Sequence, residues 1–322
     1  MLVIGEQDIL QGVSFEDVMK TIEEAMLLYE KKDFLMPARS HINYNDNTLL
    51  LMPCFTGEAF GTKLVTVFPS NSVNNAPVTN GVMILNDGAT GNPVALINGR
   101  VLTAIRTAAV GGTGIRCLTP ETVSRVGVIG AGMQGYYQAL FACSARPVTD
   151  IYVYDMVTER ILEFIDKLSR SLTGIRLHQV SAPEELLEAS EVVITATTSE
   201  KPVLPNEKHL LEGKHFIGIG SFKPNMREYP EALFSILEQV FVDTEHALEE
   251  TGDLLVPIEK HWIKENQVQT LGSILIDAQD KTKMMKNTTF FKSVGMALFD
   301  LCVSTLIYHK AKEKGLGQEI AL

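Results

Sequence analysis

At 322 residues, with 45% hydrophobic and 21% charged side chains, the chain is long enough for more than one ordinary core, and two domains are expected. The formal net charge of -11 repels nucleic-acid backbones and anionic lipid over the surface as a whole, so neither nucleic acid nor membrane is an expected partner. Cys54, Cys117, Cys143 and Cys302 are far apart with no C-x-x-C pair, which disfavours zinc. Met1 leads into no basic region, and no apolar run reaches about 18 residues, so a cytoplasmic protein without signal peptide or membrane span is expected.

The chain opens on a short strand, Leu2-Val3-Ile4, and then an amphipathic helix from about Phe15 to Lys32 with Ser14 as N-cap. Val18, Ile22, Ala25, Met26 and Tyr29 repeat at helical spacing and form its core face. Short strands follow at Thr48 to Met52, Gly61 to Phe68, Gly81 to Asn86 and Pro93 to Ile97. Asn45-Asp46-Asn47, Asn86-Asp87-Gly88 and Thr90-Gly91-Asn92-Pro93 are turn formers, so this part reads as α+β with antiparallel hairpins. A helix through Thr107 to Val110 leads into alternating strands and helices. The strands are Val126 to Ile129, Ile151 to Tyr154, Val192 to Ala196, Phe216 to Ile219 and Val240 to Val242. Such alternation implies a doubly wound, mainly parallel α/β sheet. The last helix, from about Ser293 to Lys314, ends at Gly315 and is expected to return to the first domain. The Met284-Met285 region and the helix bearing Phe299, Leu301 and Cys302 read as packing surfaces. The expected division is 1–113 with 297–322, and 114–296.

Within the second region, Arg125 to Ile129 runs into Gly130-Ala131-Gly132-Met133-Gln134-Gly135 and then a helix. Gly130 permits a tight turn, Gly132 lets the backbone approach a pyrophosphate, and Gly135 lets helix and strand pack closely. The helix N-terminus turns its N–H groups and positive dipole end toward phosphates. The next strand ends in Asp155, about 20 residues beyond Gly135, where a carboxylate accepts hydrogen bonds from ribose hydroxyls and repels a 2′-phosphate. This is a Rossmann fingerprint, with NAD(H) favoured over NADP(H). Thr197 and Ser221 each follow a later strand of the region and are candidates for lining the nicotinamide half of the crevice.

Three segments of the first domain each set one cation among apolar or small residues: Met36-Pro37-Ala38-Arg39, Gly61 to Pro69 around Lys63, and Leu102 to Ala109 around Arg106. A charge so placed needs a partner. With Ala89 to Leu96, the glycine fingerprint and Phe291-Lys292-Ser293-Val294-Gly295, these segments resemble the ornithine cyclodeaminase and mu-crystallin family in motif order over nearly the whole chain. The resemblance implies a substrate-binding and dimerisation domain (1–113 with 297–322), a Rossmann NAD(P) domain (114–296), a homodimer, and an active site in the cleft between domains. It also implies that Arg39, Lys63 and Arg106 hold the carboxylate of a small amino or imino acid. Guanidinium groups suit bidentate carboxylate binding, and Lys63 adds a point charge; Lys63, as the candidate catalytic residue, or a bound water is the proton source.

One departure narrows the reaction. Ornithine cyclodeaminases resembling this chain carry an aspartate where Phe222 stands, and an apolar ring cannot pair with an ammonium group. Glu228 matches a later acidic position, with a helix-start carboxylate as a reading of at least equal weight. The resemblance then implies reduction of a small α-imino acid, such as 1-pyrroline-2-carboxylate to L-proline. The alternatives are an alanine dehydrogenase-like reaction, ornithine cyclodeamination, and non-catalytic dinucleotide binding. The seven histidines form no metal motif, and none is assigned a catalytic role.

Overall fold

The computed structural model describes residues 1–74, 76–276 and 287–321. In chain order the elements are β1 (Leu2–Ile4), α1 (Glu6–Gly12), α2 (Phe15–Lys31), β2 (Ser40–Tyr44), β3 (Asn47–Phe55), β4 (Ala59–Val67), β5 (Thr79–Asp87), β6 (Pro93–Asn98) and α3 (Gly99–Leu118). Then follow β7 (Arg125–Ile129), α4 (Met133–Ala145), β8 (Asp150–Tyr154), α5 (Thr158–Ser171), β9 (Arg176–Gln179), α6 (Pro183–Ala189), β10 (Val192–Thr195), α7 (Lys208–Leu211) and β11 (His215–Gly218). The remainder comprises α8 (Glu231–Phe234), β12 (Val240–Val242), α9 (Ala247–Glu250), α10 (Gly252–Glu259), β13 (Val268–Thr270), α11 (Leu271–Ile276), β14 (Thr289–Lys292), α12 (Ala297–Lys314) and β15 (Gln318–Glu319). They fall into two compact units, Met1–Arg106 with Met296–Leu322, and Thr107–Gly295.

The first unit holds a sheet of order β15-β1-β6-β5-β4-β3-β2, antiparallel except where β1 pairs with β6. Ser14 caps α2 through a reciprocal box with Asp17, and the predicted face of Val18, Ile22, Ala25, Met26 and Tyr29 is buried. Helix α12 packs on α2 and on β3, β4 and β5, so Met52, Cys54, Lys63, Met83 and Leu85 lie in the interior. It begins at Ala297 rather than near Ser293, because Thr289 to Lys292 forms a buried strand and Gly295 turns the chain with φ of 74°. It ends, as its sequence indicates, at Gly315 in the left-handed region.

The second unit is a parallel sheet of order β13-β12-β14-β11-β10-β7-β8-β9. Strands β10, β11 and β14 are buried along their whole length, although β11 opens on His215 and β14 is bounded by Thr289 and Lys292. The strand order reverses between β7 and β10. In open α/β sheets such a switch point opens a crevice at the carboxyl ends of the strands, where ligands bind. Strands β2, β9, β13, β14 and β15 and helix α1 add to the elements legible in the sequence. The Met284-Met285 expectation lies outside the described residues. No helix among the described residues is long and apolar enough to cross a membrane.

Candidate active site

The glycine turn stands at that switch point. Gly130 has φ of 106°, and a Cβ there would lie 2.7 Å from the Ala196 carbonyl oxygen, so the turn closes against the end of β10. A Cβ on Gly135 would lie 2.1 Å from the Gly130 carbonyl oxygen, which fixes how closely α4 approaches β7. Gly132, the N-cap of α4, is exposed, and a Cβ there meets nothing within 4 Å. The tight glycines thus frame an open one. Behind it lies the first turn of α4, with Met133, Gln134 and Gly135, whose N–H groups have no intrahelical partner by geometry. Asp155, just beyond β8, accepts from Ala131 N at 2.8 Å and from Val157 N at 2.9 Å. Each of its oxygens keeps a second acceptor site. These residues fit the pyrophosphate and ribose of a dinucleotide.

Thr197 and Ser221 come together through Glu228. Glu228 is fully buried, and its carboxylate accepts from Thr197 N and Oγ1 at 2.8 Å each, from Gly220 N at 2.9 Å and from Ser221 N at 3.1 Å. Burial pushes Glu228 up from the ordinary carboxylate range, and the Lys292 charge and the Thr197 donors oppose it. It is therefore no helix-start carboxylate: it clamps the loop after β10 to the loop after β11. The Ser221 hydroxyl is also turned inward, onto Thr251 Oγ1 at 2.8 Å and onto Asp253. Asp253 accepts from the N–H groups of Glu228 and Tyr229 and lies 3.6 Å from Lys292 Nζ, all of these side chains being buried.

In the first unit, Lys63 and Arg106 meet on one carboxylate. Lys63 Nζ lies 2.7 Å from Asp300 Oδ2, and Arg106 Nε donates to Asp300 Oδ1 at 2.9 Å. Asp300 is fully buried, and the two cations are 2% and 6% exposed. Lys63 Nζ also donates to Thr103 Oγ1 at 3.3 Å, and that hydroxyl donates to the Gly99 carbonyl. Burial lowers Lys63 to a pKa of about 8; Asp300 opposes the shift, and the Arg106 and Arg39 charges add to it. Against the upward push of burial, the Arg106 and Lys63 charges hold Asp300 below the ordinary carboxylate range. Arg106 Nη1 is buried without a hydrogen-bond partner. Arg39, half-buried just before β2, supplies a third positive charge felt at Lys63.

Asp300 is absent from the sequence-based assignments. It stands between Phe299 and Leu301 in an apolar helix, and a lone acid at such a position calls for a cation just as the lone cations call for an anion. Asp253 and Lys292 likewise carry no signal in the sequence that pairs them.

A sequence profile described as the Ornithine cyclodeaminase/mu-crystallin family matches residues 2–315. The chain belongs to that family. Within it, the chain is 32% identical to a Delta(1)-pyrroline-2-carboxylate reductase of Bacillus cereus over 99% of both chains. The structure of the Thermococcus litoralis Delta(1)-pyrroline-2-carboxylate reductase, in complex with NADH and L-proline, is similar with a TM-score of 0.90 and 29% identity, over 99% of this chain and 100% of that one. An archaeal alanine dehydrogenase dimer with bound NAD is similar with a TM-score of 0.89 and 26% identity, over 100% and 99%. At the position where the resemblance sets an aspartate in the family's ornithine cyclodeaminases, Phe222 is 47% exposed on the loop after β11, with Lys223 Nζ 5.6 Å from its ring centroid.

Proposed function

We propose that this chain is an NADH-dependent reductase of a small cyclic α-imino acid of the 1-pyrroline-2-carboxylate type, giving the L-amino acid. The observation that carries the reading is the buried Lys63–Asp300–Arg106 cluster, whose Arg106 Nη1 lacks a partner. A buried guanidinium N–H without an acceptor is costly, and a substrate carboxylate oxygen satisfies it. The near full-length likeness to pyrroline-2-carboxylate reductases supports the same class.

In this reading, Arg106 and Arg39 bind the substrate carboxylate, and Lys63 donates a proton from Nζ to the imine nitrogen. With a pKa of about 8, Lys63 is charged at neutral pH yet a stronger acid than an ordinary lysine. Bound NADH supplies the hydride that reduces the C=N carbon. Gly130 to Gly135 hold its pyrophosphate, and Asp155 its ribose, which favours NADH over NADPH. Thr197, whose hydroxyl is likewise bonded to Glu228, lines the nicotinamide side with its methyl group, which lies beside Gly130. The inward hydroxyl of Ser221 leaves that residue a supporting role in the clamped loop. Phe222 offers an apolar ring and no carboxylate for a substrate ammonium, which favours reduction over cyclodeamination.

The test is NADH oxidation followed by absorbance with a cyclic ketimine panel. Turnover without added ammonia is expected, with kcat/KM falling as pH rises through about 8. Dependence on ammonia, or release of proline and ammonia from ornithine, refutes the proposal, as does unchanged turnover in Lys63→Met and Arg106→Met.

We also read the chain as a homodimer through the outer face of the first unit's sheet. Ile42, Leu49, Leu51, Leu64, Val82, Ile84 and Leu96 share the face turned away from α12, half-buried or exposed. A face so apolar marks an interaction surface. The dimer of the archaeal alanine dehydrogenase supports a second copy as its occupant.

A further inference from the structure

We propose that Asp300 is the positioning residue of the carboxylate pocket, holding Lys63 and Arg106 in a fixed pose and leaving the pair one positive charge for a monocarboxylate imino acid. The inference rests on the reading of the first unit as the substrate site. Each carboxylate oxygen of Asp300 takes one cation: Oδ2 lies 2.7 Å from Lys63 Nζ, and Oδ1 2.9 Å from Arg106 Nε. The cations come from β4 and α3, and Asp300 from the first turn of α12, where the helix dipole favours a negative charge. Only Asp300 ties the two together among the described ion pairs.

Because Arg106 binds Asp300 through Nε, its buried Nη1 remains for a ligand. Two buried cations and one buried carboxylate carry a net charge of one. A substrate with one carboxylate neutralises the cluster, whereas two unopposed cations would repel each other across a desolvated site. Among the described residues, the other titratable groups around this cluster include Arg39, whose charge acts on Lys63, and the Cys54 thiol, which burial pushes up to about 12. The Cys302 thiol on α12 is also pushed up to about 12 by burial. Asp300 is therefore the group whose charge sets the acidity of Lys63 from below. Removing it lowers Lys63 further.

The experiment compares wild type, Asp300→Asn and Asp300→Glu. Rates of 1-pyrroline-2-carboxylate reduction are measured between about pH 6 and about pH 10, alongside NADH affinity by fluorescence and the 13Cε titration of Lys63 by NMR. In Asp300→Asn, kcat/KM is expected to fall at least about tenfold, and the alkaline limb and Lys63 titration to move about one pH unit lower. NADH affinity is expected to stay within about twofold of wild type, since the glycine turn and Asp155 belong to the other unit. Asp300→Glu keeps the charge and so the limb, but displaces both cations and loses roughly tenfold or more in kcat/KM. A folded Asp300→Asn protein with wild-type limb and titration overturns the inference, as does an Asp300→Glu protein with wild-type kcat and KM. The second result decides the matter if Asp300→Asn does not fold. Wild type that reduces no imino acid refutes the functional reading instead, and the Lys63 titration, which needs no substrate, then judges Asp300.

Discussion

The glycine turn allows fold and ligand to be separated by two substitutions three residues apart. In Gly135→Ala the new Cβ would lie 2.1 Å from the Gly130 carbonyl oxygen, well inside contact, and that oxygen belongs to the backbone. Helix α4 must move off β7, an overpacking that costs about 1–3 kcal/mol. For a unit of this size that corresponds to a drop in Tm of roughly 3–10 °C. In Gly132→Ala the Cβ meets nothing, and φ of -98° suits any residue. Loss of glycine as an N-cap costs about 0.5 kcal/mol, while the stiffer unfolded chain returns about 0.4–1 kcal/mol, so stability hardly changes. A methyl group there nonetheless stands where a pyrophosphate must approach the helix N-terminus, and NADH affinity is expected to fall at least about tenfold, or about 1.4 kcal/mol. Differential scanning calorimetry and NADH titration of both variants read the two effects. Wild-type NADH affinity in Gly132→Ala would sink the cradle assignment, and a wild-type Tm in Gly135→Ala would sink the packing argument.

Acid stability provides another test through His215, buried and bonded to Thr289 Oγ1 at 2.9 Å, whose pKa burial lowers to about 4. A depressed pKa gives stability that is present above the unfolded value near 6.5 and lost as pH falls toward 4, here about 3 kcal/mol. A His215→Gln protein should show a flatter urea-unfolding profile across that window. Replacing Glu228 by Gln turns an amide NH2 toward either the Thr197 or the Gly220 and Ser221 donors; about 3 kcal/mol should be lost in urea unfolding, and a wild-type midpoint would refute the clamp. Leu64→Glu places a charge on the outer sheet face between Leu51 and Val82, and sedimentation should report monomers with wild-type secondary structure.

Local features follow from residue order alone. The face of α2, the cap at Ser14, the stop at Gly315 and the series from Arg125 through Gly135 to Asp155 are set by spacing along a few turns or one βαβ unit, and they stand where the sequence places them. Lone cations among apolar neighbours marked Arg39, Lys63 and Arg106 because a desolvated charge needs a partner. The partner itself was out of reach: Asp300 lies 194 residues from Arg106, and nothing in either segment states that α12 lies on β4. The same holds for β14, which enters the sheet between β11 and β12 from far along the chain, and for Glu228, whose four donors come from two separate loops. Charge pairing in a desolvated interior and strand order in a sheet are properties of chain segments brought together by packing. They emerge on folding, because their energies depend on distances that spacing along the chain does not fix.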